Sequence, residues 1–317
     1  MVTALVFIVA MVVALIVTPV VRHFGHTSGI LDQPDERKVH TYPIPRLGGI
    51  AMVIAFGIAI GMALVYNPDL GALGSVRPNR APAILAGVAV LFVIGLWDDV
   101  RGMRPLAKLG FQIGAATLAW GLGLSIEKLV GPWGTVDVAA VSWPLTVLWI
   151  VAVINALNLI DGLDGLAAGV SLTVLGAFAI LAGREGYDPM LPIIAATAGA
   201  AIGFLAYNLH PASIIMGDTG SMFLGFVIAA IGISLTQDGV RPHSPWVPIV
   251  ALGVPILDMI WAVIRRSASG MPIHIADRGH IHHQLLKRGL NHRDAMLILT
   301  AVSAGFAVLA VLLARIE

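Results

Sequence analysis

The 317 residues are 58% hydrophobic and only 12% charged, with a mean hydropathy of +0.90. Soluble domains carry about a quarter charged residues, so this composition excludes a water-soluble globular protein and places the chain in a bilayer. The net charge of +1 says little as a total, and the absence of cysteine excludes disulfides and thiolate metal sites.

Taken in chain order, apolar runs near the length of a bilayer crossing fall at about 2–21, 48–66, 81–97, 106–124, 143–159, 164–183, 191–208, 213–235, 246–264 and 294–314. The reading is an all-α integral membrane protein, one domain over 1–317, with ten transmembrane helices and short loops. The first run, Met1 to Val21, lacks a basic leader and a small-residue cleavage site, so it reads as a retained span. An eleventh helix would move the C-terminus across the membrane and leave the internal parity intact.

Charge is distributed by loop parity. The loops after spans 1, 3, 5, 7 and 9 share one face. They hold 13 of the 19 basic residues, among them Arg22, Arg37, Lys38, Arg46, Arg101, Arg104 and Lys108, then six from Arg265 to Arg293. The positive-inside rule makes that face cytoplasmic and puts both termini outside. Five polar islands fall on the same face: Asp98-Asp99, Asn155 to Asp164, Asn208, Gly217 to Ser221 and His280 to His283. Polar groups next to hydrocarbon are costly and mark function, so these islands describe one site.

Each island has a plainer alternative. Asp98 and Asp99 sit about 100° apart on a helix, so they address different partners; a solvated helix end is the alternative. Asn155 and Asn158 share a helix face, and Asp161-Gly162 with Asp164-Gly165 makes a tight turn in which Asp164 also suits a helix cap. Asp218, at a glycine-flanked helix start, suits Mg²⁺ together with substrate phosphates, or is simply solvated beside a Ser221 cap. Arg278, His280, His282 and His283 suit a pyrophosphate better than a metal, because no cysteine or helical His spacing accompanies them. The same stretch reads as a short amphipathic helix with Ile281, Leu285 and Leu286 toward lipid. Arg46 with Gly48-Gly49 is a candidate anion site. Asp258 is read as either a buried partner for a basic residue or a site residue.

Carboxylates, amides, histidines and cations gathered at a membrane surface suit phosphoryl transfer with Mg²⁺. Unit charges 4 Å apart repel by about 4 kcal/mol at an effective dielectric of 20, so two multiply charged phosphates need cations between them. A phosphate nucleophile is already largely ionised at neutral pH and has little need of a base. The competing class is an ion-coupled transporter, which predicts midplane sites and inverted repeats. The chain shows neither. A non-catalytic lipid-binding scaffold gives no reason for five islands.

In order from Asp35-Glu-Arg-Lys-Val-His40 to His283, these islands resemble the motifs of the polyprenyl-phosphate N-acetylhexosamine-1-phosphate transferases, the WecA/MraY family. The resemblance covers nearly the whole chain. It implies transfer of GlcNAc-1-phosphate from a cytoplasmic UDP-amino sugar to undecaprenyl or a similar polyprenyl phosphate, with release of UMP. That is the first membrane step of a cell-envelope polysaccharide such as lipopolysaccharide or teichoic acid. His-Ile-His-His, with Arg-Lys-Val-His and Pro-Arg-Leu-Gly-Gly upstream, is similar to the GlcNAc-1-phosphate branch. The UDP-MurNAc-pentapeptide branch, the alternative, carries an uninterrupted histidine triplet.

Carried over by position, the resemblance implies Asp98, Asp99 and Asp218 as catalytic residues, with Asp218 and Asp99 toward Mg²⁺ (Mn²⁺ as substitute). Asn155, Asn158, Asp161 and Asp164 fall in the nucleotide-binding stretch, and Asn208 beside it. Lys38, Arg278, His282 and His283 would bind phosphates, with His280 a further member. A multi-pass protein of the plasma (inner) membrane is expected, with no nucleic-acid partner and a homodimer as one oligomeric option.

Overall fold

A computed structural model describes residues 2–34, 42–66, 80–132, 134–184, 190–238, 243–271 and 279–316. Lys38 and Arg278 lie outside these residues, as does the Asp35–His40 motif. The helices are α1 (Val2–Thr27), α2 (Gly48–Tyr66), α3 (Ala81–Arg101), α4 (Pro105–Gly121), α5 (Ser142–Ile160), α6 (Leu166–Arg184), α7 (Leu191–Asn208), α8 (Gly217–Gln237), α9 (Trp246–Ala251), α10 (Gly253–Ala268), α11 (Ile281–Lys287) and α12 (His292–Ile316). The chain is thus an all-α membrane protein. Among the described residues eight helices are long and apolar enough to cross a bilayer: α1, α2, α3, α5, α6, α7, α8 and α12.

Every expected span is helical, and two differ in form. The fourth, α4, has only 17 residues. The ninth, expected as one helix over 246–264, is broken into α9 and α10 at Leu252. Pro255 causes the break: it has no N–H for the carbonyl of Ala251, and its ring occupies the space that carbonyl would need. The third span continues past Trp97 to Arg101, so Asp98 and Asp99 belong to the last turns of α3. Two antiparallel hairpins were not anticipated. One pairs β1 (Leu31–Asp32) with β2 (Ile44–Pro45), the other β3 (Lys128–Gly131) with β4 (Gly134–Asp137).

The bundle has a centre and a rim. The whole membrane-crossing window of α8 is buried, against 28% of that of α1 and of α12. Helix α8 packs on α2, α3, α5 and α6. Lipid is as apolar as a leucine face, so close packing has to hold such a helix, and small residues permit it. Gly49 of α2 shows the tolerance: an added Cβ would land on the backbone of Thr219 and Gly220 in α8. On the rim, Leu5, Ile8, Val12, Ile16 and Val20 make an exposed stripe along α1 at helical spacing, suited to acyl chains.

The ends of α1, α3, α5, α7 and α10 and the starts of α2, α4, α6, α8 and α12 lie on one face of the bundle, as alternation of crossings demands. The polar islands are therefore brought together by connectivity.

Candidate active site

The last turn of α3, the first turn of α4, the end of α5 and the start of α8 meet around one carboxylate. Asp218 occupies the first turn of α8. The Lys108 ammonium is in contact with Asp218 Oδ1 and lies 3.1 Å from Asp98 Oδ2, so one cation bridges two acids. Asn158 Nδ2 donates to Asp218 Oδ1 at 2.6 Å and to Ser221 Oγ at 2.8 Å. Lys108 entered the loop count only as a charge. Its bridging role had no sequence signal, because nothing in Pro105-Leu-Ala-Lys108 indicates which acids α4 will face.

Asp99 turns the other way, as the helix angle requires. Its Oδ1 accepts the Asp218 amide at 2.8 Å, and Oδ2 accepts the Thr219 amide at 3.0 Å and the Thr219 hydroxyl at 2.6 Å. A carboxylate on two free amides of a helix start completes the bonding of that end and suits the helix dipole. Asp99 therefore locks the start of α8, and Asp218 with it. Gly217, the first residue of α8, has φ +68°, and a Cβ there would collide with the Asp99 carboxylate and the Arg46 carbonyl. Arg46 closes this side: its Nε donates to the Asp99 carbonyl at 2.6 Å, and Nη1 lies 3.8 Å from Asp32 Oδ1.

Above this cluster lies a cavity of about 260 Å³ walled by Asp32, Arg46, Asp99, Asn158, Asp161 to Asp164, Asn208, Gly217, Asp218 and His283. Each of the five islands contributes at least one residue to its wall. Asp161 reaches the cavity with part of its side chain, yet burial pushes its carboxyl well above the usual carboxylate range, and the charges of Asp218 and Asp99 push the same way. Asp164 Oδ2 accepts the Ala212 amide at 3.0 Å and sits 2.8 Å from His210 Nδ1. Asn208 ties the Gly165 amide to the Ile214 carbonyl, so its amide group holds two loops together at the cavity wall.

Not every candidate faces the cavity. Asn155 donates to Gln112 Oε1 at 2.7 Å and to its own helix at Val151, which joins α5 to α4 below the site. The fifth island splits. His283 lines the cavity. His282 is buried against Gly162, and its Nε2 has no hydrogen-bond partner among the described residues. Burial first, then the neighbouring His283 and His280, lower its pKa to about 3, so the ring is neutral.

His280 points away from the cavity, its Nδ1 2.8 Å from Asp258 Oδ2, while Asp258 Oδ1 accepts the Ile281 amide at 2.8 Å. The Arg266 guanidinium lies 3.3 Å from His280 Nε2 and can only donate, so Nε2 accepts and Nδ1–H donates to Asp258. Asp258 is thus the buried partner of a histidine and the cap of α11. That helix was expected to turn Leu285 and Leu286 to lipid; both pack on the protein core instead.

The glycosyl transferase family 4 profile matches residues 81–236, the stretch that supplies Asp98, Asp99, Lys108, Asn158 and Asp218. The chain is 38% identical, over 97% of its length and 84% of the relative's, to a probable undecaprenyl-phosphate N-acetylglucosaminyl 1-phosphate transferase of Bacillus subtilis. It is 37% identical to the decaprenyl-phosphate N-acetylglucosaminephosphotransferase of Mycobacterium tuberculosis, over 93% of this chain and 78% of that one. It is 30% identical to the undecaprenyl-phosphate alpha-N-acetylglucosaminyl 1-phosphate transferase of Escherichia coli K12, over 92% and 78%. The sequence is thus shared with glycosyl-1-phosphate transferases along nearly the whole chain, and the chain belongs to that family, glycosyl transferase family 4.

Proposed function

We propose that the protein transfers GlcNAc-1-phosphate from UDP-GlcNAc to a polyprenyl phosphate, releasing UMP, at the cytoplasmic face of the plasma membrane. One observation carries this reading: Asp98 and Asp218 converge on a single cation, Lys108, and Asp218 of that pair borders a polar cavity at one end of the bundle. The relatives named above act, by name, on undecaprenyl or decaprenyl phosphate and transfer N-acetylglucosaminyl phosphate.

In the proposed step an oxygen of the lipid phosphate attacks the phosphorus bonded to the sugar. The bond from that phosphorus to the oxygen bridging toward uridine breaks, and UMP leaves with the electron pair. Lys108 and Arg46 supply fixed positive charge beside the reacting phosphates, where each repulsive pair at about 4 Å amounts to about 4 kcal/mol at an effective dielectric of 20. Asn158, Asp161, Asp164 and Asn208 form the wall against which the nucleotide is placed. His283, with Lys38 and Arg278 from the neighbouring loops, is assigned to the phosphates.

The donor set fits Mg²⁺. Asp218 Oδ1 already coordinates two N–H donors from Lys108 and Asn158, as an acid poised for a cation does, and Asp98 is close enough to share that cation. Mg²⁺ takes one or two carboxylates and completes its shell with water and phosphate oxygens, offsetting charge that builds up during transfer. Asp99 has both oxygens engaged by α8, so we assign it to holding Asp218, with metal contact through that neighbour. Direct displacement is favoured over a covalent Asp98 intermediate. A carboxylate 3.1 Å from an ammonium is a weak nucleophile, and an ionised phosphate needs no base.

The test is UMP release from UDP-GlcNAc and undecaprenyl phosphate by protein in detergent with Mg²⁺. Wild type releases UMP and Asp218→Asn loses at least about 10³-fold in kcat. Solute flux into proteoliposomes with no UMP release would overturn the transferase in favour of a transporter. A panel of UDP-amino sugars decides between GlcNAc and the MurNAc-pentapeptide donor. UMP exchange into UDP-GlcNAc in the strict absence of lipid would defeat direct displacement.

A further inference from the structure

Behind the cavity wall a second group of ligand-bearing side chains converges from three parts of the chain. Asp164 comes from the turn between α5 and α6, His210 from the segment after α7, and His292 from the start of α12. One potential ligand atom from each lies within 4.8 Å of the others. The two imidazoles are neighbours, their ring centroids 4.6 Å apart. Asp164 is fixed by the Ala212 amide at 3.0 Å, and its Oδ2 is 2.8 Å from His210 Nδ1.

An Asp–His hydrogen bond alone would be a structural latch. The second imidazole changes the reading, because a latch has no use for it and a metal ion does. Two imidazoles and a carboxylate select a borderline transition ion and are a poor set for Mg²⁺, which prefers oxygen. Zinc–ligand bonds of about 2.1 Å place tetrahedral donors roughly 3.4 Å apart, so the Asp164–His210 pair must open by about 0.6 Å and the wider separations close by at most about 1.4 Å. His210, with 38% of its side chain exposed, has the rotamer freedom to do this. The backbone amide on Asp164 supplies the kind of outer hydrogen bond that orients a ligand carboxylate. The fourth position is left to water.

We propose that Asp164, His210 and His292 form a Zn²⁺-binding site, separate from the Asp98–Asp218 cluster, that fastens the α5–α6 turn, the segment after α7 and the start of α12 to one another. The ion takes the place of the hydrogen bond between His210 Nδ1 and Asp164 Oδ2, the neutral ring then carrying its proton on Nε2. Asp164 also borders the cavity, so Zn²⁺ there slows turnover; this consequence rests on the transferase reading, and the binding itself does not.

The test uses full-length protein in detergent micelles with Co²⁺ as a visible-spectrum probe and excess Mg²⁺ present. Wild type is expected to bind one Co²⁺ with the absorption bands of a four-coordinate site, displaced by Zn²⁺. His210→Ala and His292→Ala abolish the bands, while Asp218→Asn and His283→Ala retain them. Thermal unfolding without metal establishes that each variant is folded. Wild type without bands overturns the site, and so do bands that survive both His210→Ala and His292→Ala. In the activity arm, Zn²⁺ at micromolar excess lowers wild-type UMP release several-fold and leaves His292→Ala unaffected. Absent UMP release in every sample points to the transferase reading, whereas equal inhibition of wild type and His292→Ala counts against the site.

Discussion

Among the described residues Lys108 is the side chain that bridges both acids of the central pair, so it holds them together and neutralises part of their charge. Its replacement by alanine leaves two carboxylates facing each other and removes a preorganised cation from the reacting phosphates. We expect Lys108→Ala to lose about 10²–10³-fold in kcat with folding retained, and Lys108→Arg to recover part of it. Wild-type UMP release by Lys108→Ala would remove the residue from the mechanism. His282 makes a different prediction, about stability. Its folded pKa near 3 lies below the ordinary 6.5, so between those values the unfolded chain takes up a proton that the folded chain refuses. Stability is then unaffected above about pH 6.5 and falls as pH drops below it, by up to about 1.4 kcal/mol per pH unit. Reversible unfolding in mixed micelles at pH 7 and pH 5 should show a difference about 2 kcal/mol smaller in His282→Gln than in wild type. An unchanged difference would mean the ring is hydrated.

At the level of elements, α11 is a short helix anchored at its start. Asp258 on α10 accepts its first amide and the His280 ring, and Arg266 from the same helix approaches that ring from behind. His282 and His283 are carried on the helix so anchored. Seven residues are too few for an isolated helix, so the anchor is what makes α11. Asp258→Ala is expected to cost about 3–5 kcal/mol, since it removes the partner of a buried histidine and of the first amide of α11. Amide exchange across 281–287 should then accelerate well beyond the global loss, and protection equal to wild type would refute the anchor. This contact also marks where sequence reading stops. The Asp98-Asp99 pair, the Asn155–Asp164 stretch and the Gly217–Ser221 turn were legible because polar groups stand out against an apolar background. The roles of Lys108 and Gln112 were not, because their partners lie 110 and 43 residues away and only the packing of α3, α4, α5 and α8 brings them together; Asp258 was legible as a buried partner, but not that its partner is His280, 22 residues on. His280 looked like a site residue by adjacency to His282, yet neighbours on a helix start face different ways.

For the molecule as a whole, eight of the ten expected crossings are helices long and apolar enough to span among the described residues, while α4 is short and the ninth is broken; the break at Leu252 is visible in Pro255 once a helix is assumed. The hairpins left no such trace: β1 and β2 are two residues each, too short for any alternation to show. The proposed orientation is open to direct measurement, because the chain has no native cysteine to interfere. Single cysteines at Arg104 and Arg288 should react with a membrane-impermeant maleimide only from the cytoplasmic side, and cysteines at Lys128 and Arg184 only from the other. Labelling of all four from one side would invalidate the topology, and the reverse pattern would invert it.

Helix α8 meets no lipid, whereas α1 and α12 meet a great deal of it. Spans at the rim answer to bilayer thickness by tilting, at a modest cost per ångström of mismatch. A helix enclosed on every side has no such handle. Asp218 at its head is therefore insulated from the mechanical state of the membrane, and its spacing from Asp98 and Asn158 is set by protein alone. Changes in acyl-chain length reach this site by one route: the depth at which the lipid substrate presents its phosphate to acids that hold their height.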